Sequence, residues 1–135
     1  MSTHIERLEE AGVITGYYAS VDPEKIGLSF LTFATVHLEK YSRADLETFN
    51  AAMRESPYVL ECYAVGDRET DYVLKLATPT RKKYYETMQE FLDLPGVTRY
   101  VTAVILNEVK RTSVLSLEHL HDVPLIHHHL THPLG

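Results

Sequence analysis

A short run of charged residues behind a glycine is the part of this chain best suited to bind a small charged molecule. Asp67, Glu69 and Asp71 carry carboxylates that can accept hydrogen bonds from an ammonium group. Arg68 and the loop N–H groups can donate hydrogen bonds to a carboxylate. Gly66 permits a backbone conformation that a side chain would forbid. The same composition is typical of a polar hairpin turn, and these residues alone favour the turn.

The other residues with possible chemistry do not form a catalytic or metal-binding pattern. No His or other base stands near Cys62 in the predicted pattern of strands and helices. Cys62 is therefore interpreted as a small buried or interface residue and not as a nucleophile. His37 is an isolated strand histidine, and such residues are usually structural. A Pro-flanked tail lacks the fixed geometry of a zinc site, so we expect only adventitious metal binding at His121, His127, His128, His129 and His132. The sequence therefore predicts no catalytic residue, no cofactor and no resident metal.

The periodicity of apolar residues predicts four strands and two principal helices. The strands are expected at residues 28–39, 58–65, 71–78 and 97–107. Ser42 with Asp45 forms a capping box that begins the first helix, and Ser56-Pro57 ends it. Thr80 caps the second helix, which Pro95-Gly96 ends. The apolar stripes of these helices are Leu46, Phe49 and Met53, and Tyr84, Met88, Phe91 and Leu92.

This order, β-α-β-β-α-β, predicts an α+β fold of the ferredoxin-like type. Both helices should lie on one face of an antiparallel sheet, and the other face is bare and apolar. Because an exposed apolar face of that size is normally an interface, we expect a sheet-to-sheet dimer of the dimeric α+β barrel type. Outside this core, residues 13–21 are read as a short hairpin or an extended linker and 109–117 as an edge strand or arm. Residues 118–135 are read as an exposed tail.

Composition limits the classes of function. The 135 residues suffice for one domain with a real core, and the hydrophobic fraction of 44% is typical of a soluble protein. No apolar run approaches the roughly 20 residues that span a bilayer, and the single cysteine agrees with a reducing compartment, so we expect a cytoplasmic protein without membrane contact. The net charge of -6 makes the chain a poor nucleic-acid binder by itself.

Three blocks in register resemble one family of prokaryotic transcription regulators, the Lrp/AsnC family. IERLEEAGVITGYYASVDPEKIGL (Ile5–Leu28) is similar to the end of the family's DNA-recognition helix, its wing and the following linker. ECYAVGDRETDYVLKL (Glu61–Leu76) is similar to its sensing hairpin, and LPGVTRYVTAVILNEVKRT (Leu94–Thr112) to its last core strand and exit. On this resemblance, residues 1–27 are a remnant of the recognition helix, wing and linker, and 28–117 are the effector-binding and oligomerisation domain. Residues 118–135 are a His-rich tail.

The resemblance implies a sensor of amino acids or related metabolites, which bind between subunits. Family members dimerise through the sheet, often assemble into octamers and bind DNA through an attached winged helix-turn-helix. This chain has only the end of that motif, so DNA binding is expected only through a complete helix-turn-helix. The loop 66–71 is two residues longer than the family's Gly-Asp-x-Asp. The implied effector-binding residues are Gly66, Asp67, Arg68, Glu69, Asp71, Tyr72 and Thr102.

Two other functions stay open. A stand-alone assembly module would co-oligomerise with full-length relatives, and the shortened helix-turn-helix favours it. A small ferredoxin-like enzyme would need converging acid, base or cofactor groups. His37, Asn50 and Cys62 fall on different elements without evident convergence, so we predict that the chain is not an enzyme.

Overall fold

The computed structural model describes residues 2–66 and 70–122. They fall into two compact units. The larger is Asp22–Glu108, and the smaller combines the residues before Asp22 with those from Val109 onward. The division predicted from the resemblance, at residues 27 and 117, stays a prediction.

The smaller unit begins with helix α1, Ser2–Glu10. Gly12 lies just past the end of the helix with a φ of 77°, a left-handed conformation that favours glycine at helix ends. Beyond it, the N–H groups of Val13 and Ile14 both donate to the Leu8 carbonyl, at 2.8 and 3.0 Å. Residues 14–21 form no helix or strand, so the hairpin alternative for this segment is wrong. Its role as a linker stays a prediction. A 3₁₀ helix, Glu118–Asp122, lies at the other end of this unit.

The larger unit contains the predicted β-α-β-β-α-β order. After a 3₁₀ turn at Glu24–Ile26, its elements are β1 (Phe30–Leu38), α2 (Arg43–Glu55), β2 (Val59–Val65), β3 (Asp71–Thr78), α3 (Arg81–Leu92) and β4 (Val97–Val104). The strands form one sheet in the order β2-β3-β1-β4, and every neighbouring pair is antiparallel. This is the ferredoxin-like fold, and the prediction is confirmed.

Both helices begin at the predicted caps. The Ser42 hydroxyl accepts the Asp45 N–H at 3.1 Å, and the Asp45 carboxylate accepts the Ser42 N–H at 2.9 Å, which completes the capping box. The Thr80 hydroxyl accepts the Lys83 N–H at 3.0 Å. Each cap satisfies N–H groups that a helix end leaves without partners, so the short polar segments before the helices fix where they start.

The core lies between the two helices and one face of the sheet. Its fully enclosed side chains include Phe49 of α2, Tyr84 and Met88 of α3, and Leu74 and Leu76 of β3. Burial alternates along β1, where Thr32, Ala34, Val36 and Leu38 face the helices. The residues between them face away from the helices, as the twofold period of a strand requires.

The opposite side of the sheet, here called the open face, is largely apolar. Its positions include Phe33, Thr35 and His37 of β1, Tyr63 and Val65 of β2, Asp71 and Val73 of β3, and Arg99 and Val101 of β4. Phe33 is 44% exposed and Val101 is 56% exposed. Side chains of this size are seldom left so accessible over one contiguous face without a binding partner.

Two sequence predictions near the end of the domain are corrected. Strand β4 ends at Val104, three residues earlier than predicted. The N–H of Ile105 still donates to the Leu31 carbonyl at 2.9 Å, but residues 105–117 form no helix or strand. The edge-strand alternative for 109–117 is therefore wrong, because β-branched residues favour a strand only where a neighbouring strand pairs with them.

The predicted tail beyond Asp122 lies outside the described residues, and with it His127, His128, His129 and His132. Within the described part of the chain, no helix is long and apolar enough to cross a membrane.

Candidate functional site

The predicted ligand loop closes the hairpin between β2 and β3. Val65 and Asp71 are its last paired residues. Gly66 follows with a φ of 126°, in a region that side chains rarely adopt, so a glycine is needed here as expected. Asp67, Arg68 and Glu69 lie outside the described residues, and their roles stay predictions.

Asp71 lies at the base of this hairpin on the open face. Its carboxylate oxygen Oδ1 is 2.5 Å from Nδ1 of His37, its direct partner in the register of β1 and β3. The other ring nitrogen of His37, Nε2, is 3.3 Å from the Glu39 carboxylate. The His37 side chain is 10% exposed and that of Asp71 is 37% exposed. The histidine is thus enclosed, whereas the Asp71 carboxylate remains accessible from solvent.

The surroundings of His37 favour its charged form. The hydrogen bond to Asp71 is the main cause that raises the pKa of His37 above its ordinary value of 6.5, and the bond to Glu39 acts in the same direction. Desolvation and the charge of Arg99, its register partner on β4, lower the pKa but do not cancel the rise. The end of the open face therefore carries a row of interacting charges, Asp71, His37 and Arg99, beside the apolar residues.

Tyr72 and Thr102 lie on the other side of the sheet. Tyr72 is only 4% exposed, and its ring centroid is 4.3 Å from that of Phe49, so burial raises the pKa of its hydroxyl. The Thr102 hydroxyl is 2.7 Å from the hydroxyl of Tyr84 in α3. Asp71 therefore does not converge with Tyr72 and Thr102 in one protomer.

A cleft of about 460 Å³ lies between α2 and β2, beside the hairpin. Met53, Cys62 and Tyr72 contribute to its apolar part, and Asn50 and Arg54 contribute polar groups from α2. Sequence reasoning did not find this cleft, because the positions that line it depend on how α2 packs against the edge strand. Its size is within the range of small-molecule pockets.

Among the described residues, the three candidates for enzyme chemistry, His37, Asn50 and Cys62, do not converge. Asn50 and Cys62 line the cleft on the helix side of the sheet, whereas His37 lies on the open face. Burial raises the pKa of the Cys62 thiol and the charge of Arg54 offsets only part of the rise, so this thiol is not activated. Over residues 2–66 and 70–122, no cluster of three or more His, Cys, Asp or Glu side chains is arranged to hold a metal ion.

The sequence model of one domain family, the Lrp/AsnC ligand binding domain, matches residues 31–115. The chain belongs to the Lrp/AsnC family. That match covers the β-α-β-β-α-β unit except Phe30, the first residue of β1, and it includes Asp71 and Thr102. The resemblance drawn from the three sequence blocks is thereby confirmed.

Curated relatives of this Lrp/AsnC chain are transcription regulators. A proline dehydrogenase transcriptional activator of Rhizobium radiobacter is 34% identical over 113 residues, which cover 83% of this chain and 72% of the relative. The leucine-responsive regulatory protein of Escherichia coli (strain K12) is 33% identical over 115 residues, which cover 84% of this chain and 70% of the relative. These relatives agree with the prediction that the chain is a regulator and not an enzyme.

Solved structures of the family share the fold. A transcriptional regulator of Neisseria meningitidis in complex with L-Met superposes with a TM-score of 0.80 at 31% identity, covering 88% of this chain and 77% of the other. A feast or famine regulatory protein of M. tuberculosis complexed with L-methionine gives a TM-score of 0.71 at 25% identity, covering 84% and 75%. Both of these relatives were solved in complex with L-methionine.

Proposed function

We propose that this chain is the amino-acid-sensing and oligomerisation part of an Lrp/AsnC-type transcription regulator. The observation that carries the proposal is the Asp71 carboxylate, held by His37 at the base of the hairpin and still accessible. A carboxylate in this position accepts N–H bonds from the ammonium group that every amino acid carries. The two methionine-bound relatives support this class of ligand.

The effector site is completed by more than one subunit. Asp71 lies on the open face of the sheet. Tyr72 is enclosed on the helix side, and the partly buried Thr102 lies on that side with its hydroxyl against Tyr84. A ligand at the hairpin contacts Gly66, Asp67, Arg68, Glu69 and Asp71. Because Tyr72 and Thr102 of the same protomer lie on the other side of the sheet, a neighbouring protomer supplies the remaining contacts. Tyr72 and Thr102, which the resemblance also implies as effector-binding residues, lie on the helix side of the sheet. In this arrangement they support the hairpin and the sheet from that side.

The assembly is a homodimer through the open face, which associates further into a higher oligomer such as an octamer. The exposed Phe33, Tyr63 and Val101 supply the apolar contact area for the dimer. DNA is bound through a complete helix-turn-helix in the full regulator, which acts in the cytoplasm. The negative charge of this chain, -6, agrees with leaving DNA contact to that motif.

A thermal-shift screen against the common L-amino acids tests the sensing role. A ligand that binds only the folded state adds about 2.7 kcal/mol at a hundred times its dissociation constant, so its Tm shift is readily measured. We expect one or a few L-amino acids, with L-methionine the first to be tried, to raise the Tm while their D-enantiomers do not. If no amino acid shifts the Tm, the sensing proposal fails. Mixed oligomers with a full-length relative would then support the stand-alone assembly module.

A further inference from the structure

His37 and Asp71 face each other across β1 and β3 at the end of the open face nearest the hairpin. The two side chains are a direct register pair, with 2.5 Å between Nδ1 and Oδ1. His37 is enclosed at 10% side-chain exposure, and Asp71 reaches solvent at 37%. The enclosed imidazole therefore occupies one side of a carboxylate whose other side is available to a ligand.

We propose that His37 is a positioning residue of the effector site, which holds the Asp71 carboxylate in place and, when protonated, competes for it with the ammonium group of the amino acid. This inference rests on the proposed function, in which Asp71 accepts that ammonium. An imidazolium and an ammonium are both cationic N–H donors, and each is attracted by the same negative charge. A neutral imidazole with its hydrogen on Nδ1 still orients the carboxylate but does not repel the ligand.

The groups around His37 leave Asp71 as its main anionic partner. Glu39, on the same strand, contacts Nε2 at 3.3 Å, but its side chain is 62% exposed, so water weakens that interaction. Arg99 is the register partner of His37 on β4, and its positive charge disfavours the imidazolium. Beyond Asp71 the next residue across the sheet is Val65 of β2, which carries no charge. Loss of the Asp71 interaction to a ligand would therefore remove the largest stabilisation of the charged histidine.

This competition gives a pH dependence with a defined sign. In the ligand-free protein the Asp71 hydrogen bond raises the pKa of His37 above 6.5. A ligand ammonium at Asp71 lowers that pKa again, so binding releases a proton from His37. Amino-acid affinity then increases with pH, by at most about tenfold per pH unit, between the His37 pKa values of the complex and of the free protein. Above the free-protein value the affinity levels off.

The test combines an NMR titration with binding measurements on the full chain. The His37 ring signals are assigned with the His37→Gln variant and titrated in ligand-free wild type and in Asp71→Asn. L-methionine, or the L-amino acid with the largest thermal shift, is then titrated from about pH 5.5 to about pH 8.5 against wild type, His37→Gln and His4→Gln. His4 is exposed on α1 and serves as the matched control.

We expect the pKa of His37 to lie above 6.5 in the wild type and to be lower in Asp71→Asn. We expect the affinity of wild type and His4→Gln to increase with pH, and that of His37→Gln to stay constant while the protein still binds. Equal pH profiles for wild type and His37→Gln would overturn this inference and leave the sensing role intact. Absence of amino-acid binding at every pH would overturn both, and the NMR titration would still report the ion pair.

Discussion

Replacing Phe49 with alanine is expected to lower the free energy of unfolding by about 3–5 kcal/mol. The Phe49 side chain is completely enclosed beneath α2, and its ring packs against Tyr72 with 4.3 Å between centroids. The substitution removes this aromatic contact and leaves a cavity that the neighbouring helix and strand fill only in part. For a domain of this size the loss lowers the Tm by more than about 10 °C, which thermal denaturation followed by circular dichroism measures.

Tyr18→Ala is the matched control for this substitution. Tyr18 is also aromatic, but it is 88% exposed, so its removal creates no cavity. Its effect should stay within about 0.5 kcal/mol. A Phe49→Ala protein as stable as Tyr18→Ala would contradict the packing of α2 on the sheet.

If the open face forms the proposed homodimer interface, Val101→Asp is expected to convert the protein into a monomer. Val101 lies in one row of the open face with Tyr63, Val73 and Thr35, and in the single chain it is 56% exposed. The folded monomer therefore tolerates a carboxylate at this position, whereas a sheet-to-sheet interface would bury it without a partner. An unpaired buried charge costs several kcal/mol, enough to abolish the association of a typical dimer at micromolar concentration.

Size-exclusion chromatography with light scattering distinguishes the monomer from the oligomer, because one chain has a mass of 15.4 kDa. We expect wild type to elute at a multiple of this mass and Val101→Asp at 15.4 kDa. Ala51→Asp adds the same charge at an exposed position of α2 and should leave the mass unchanged. If Val101→Asp keeps the wild-type mass, the open face is not the dimer interface.

The fold could be predicted from the sequence because its signals are local. The capping residues Ser42 and Thr80 mark the helix starts, and the apolar stripes containing Phe49 and Tyr84 identify the buried helix faces. The segment after β4 was not predicted correctly. Its β-branched residues are typical of a strand. Whether such a segment becomes a strand depends on whether a neighbouring segment is placed to pair with it.

The candidate site was harder to predict because it depends on strand register. Asp71 and Tyr72 are consecutive in a strand, so the sequence alone already places their side chains on opposite faces. The contact between His37 and Asp71 joins residues 34 positions apart, and neither residue identifies the other without the β1–β3 pairing. The position of Thr102 beneath α3 likewise follows from the β1–β4 register and from its bond to Tyr84.

The central claim, that Asp71 binds the ammonium group of an amino acid, is tested most directly by calorimetric titration. L-methionine, or the L-amino acid with the largest thermal shift, is titrated into wild type, Asp71→Asn and Glu47→Gln, where Glu47 is an exposed carboxylate on α2. We predict that wild type and Glu47→Gln bind with equal affinity and that Asp71→Asn binds about 10- to 100-fold more weakly, as expected for the loss of a charged hydrogen bond. Wild-type affinity in a folded Asp71→Asn protein would contradict the claim.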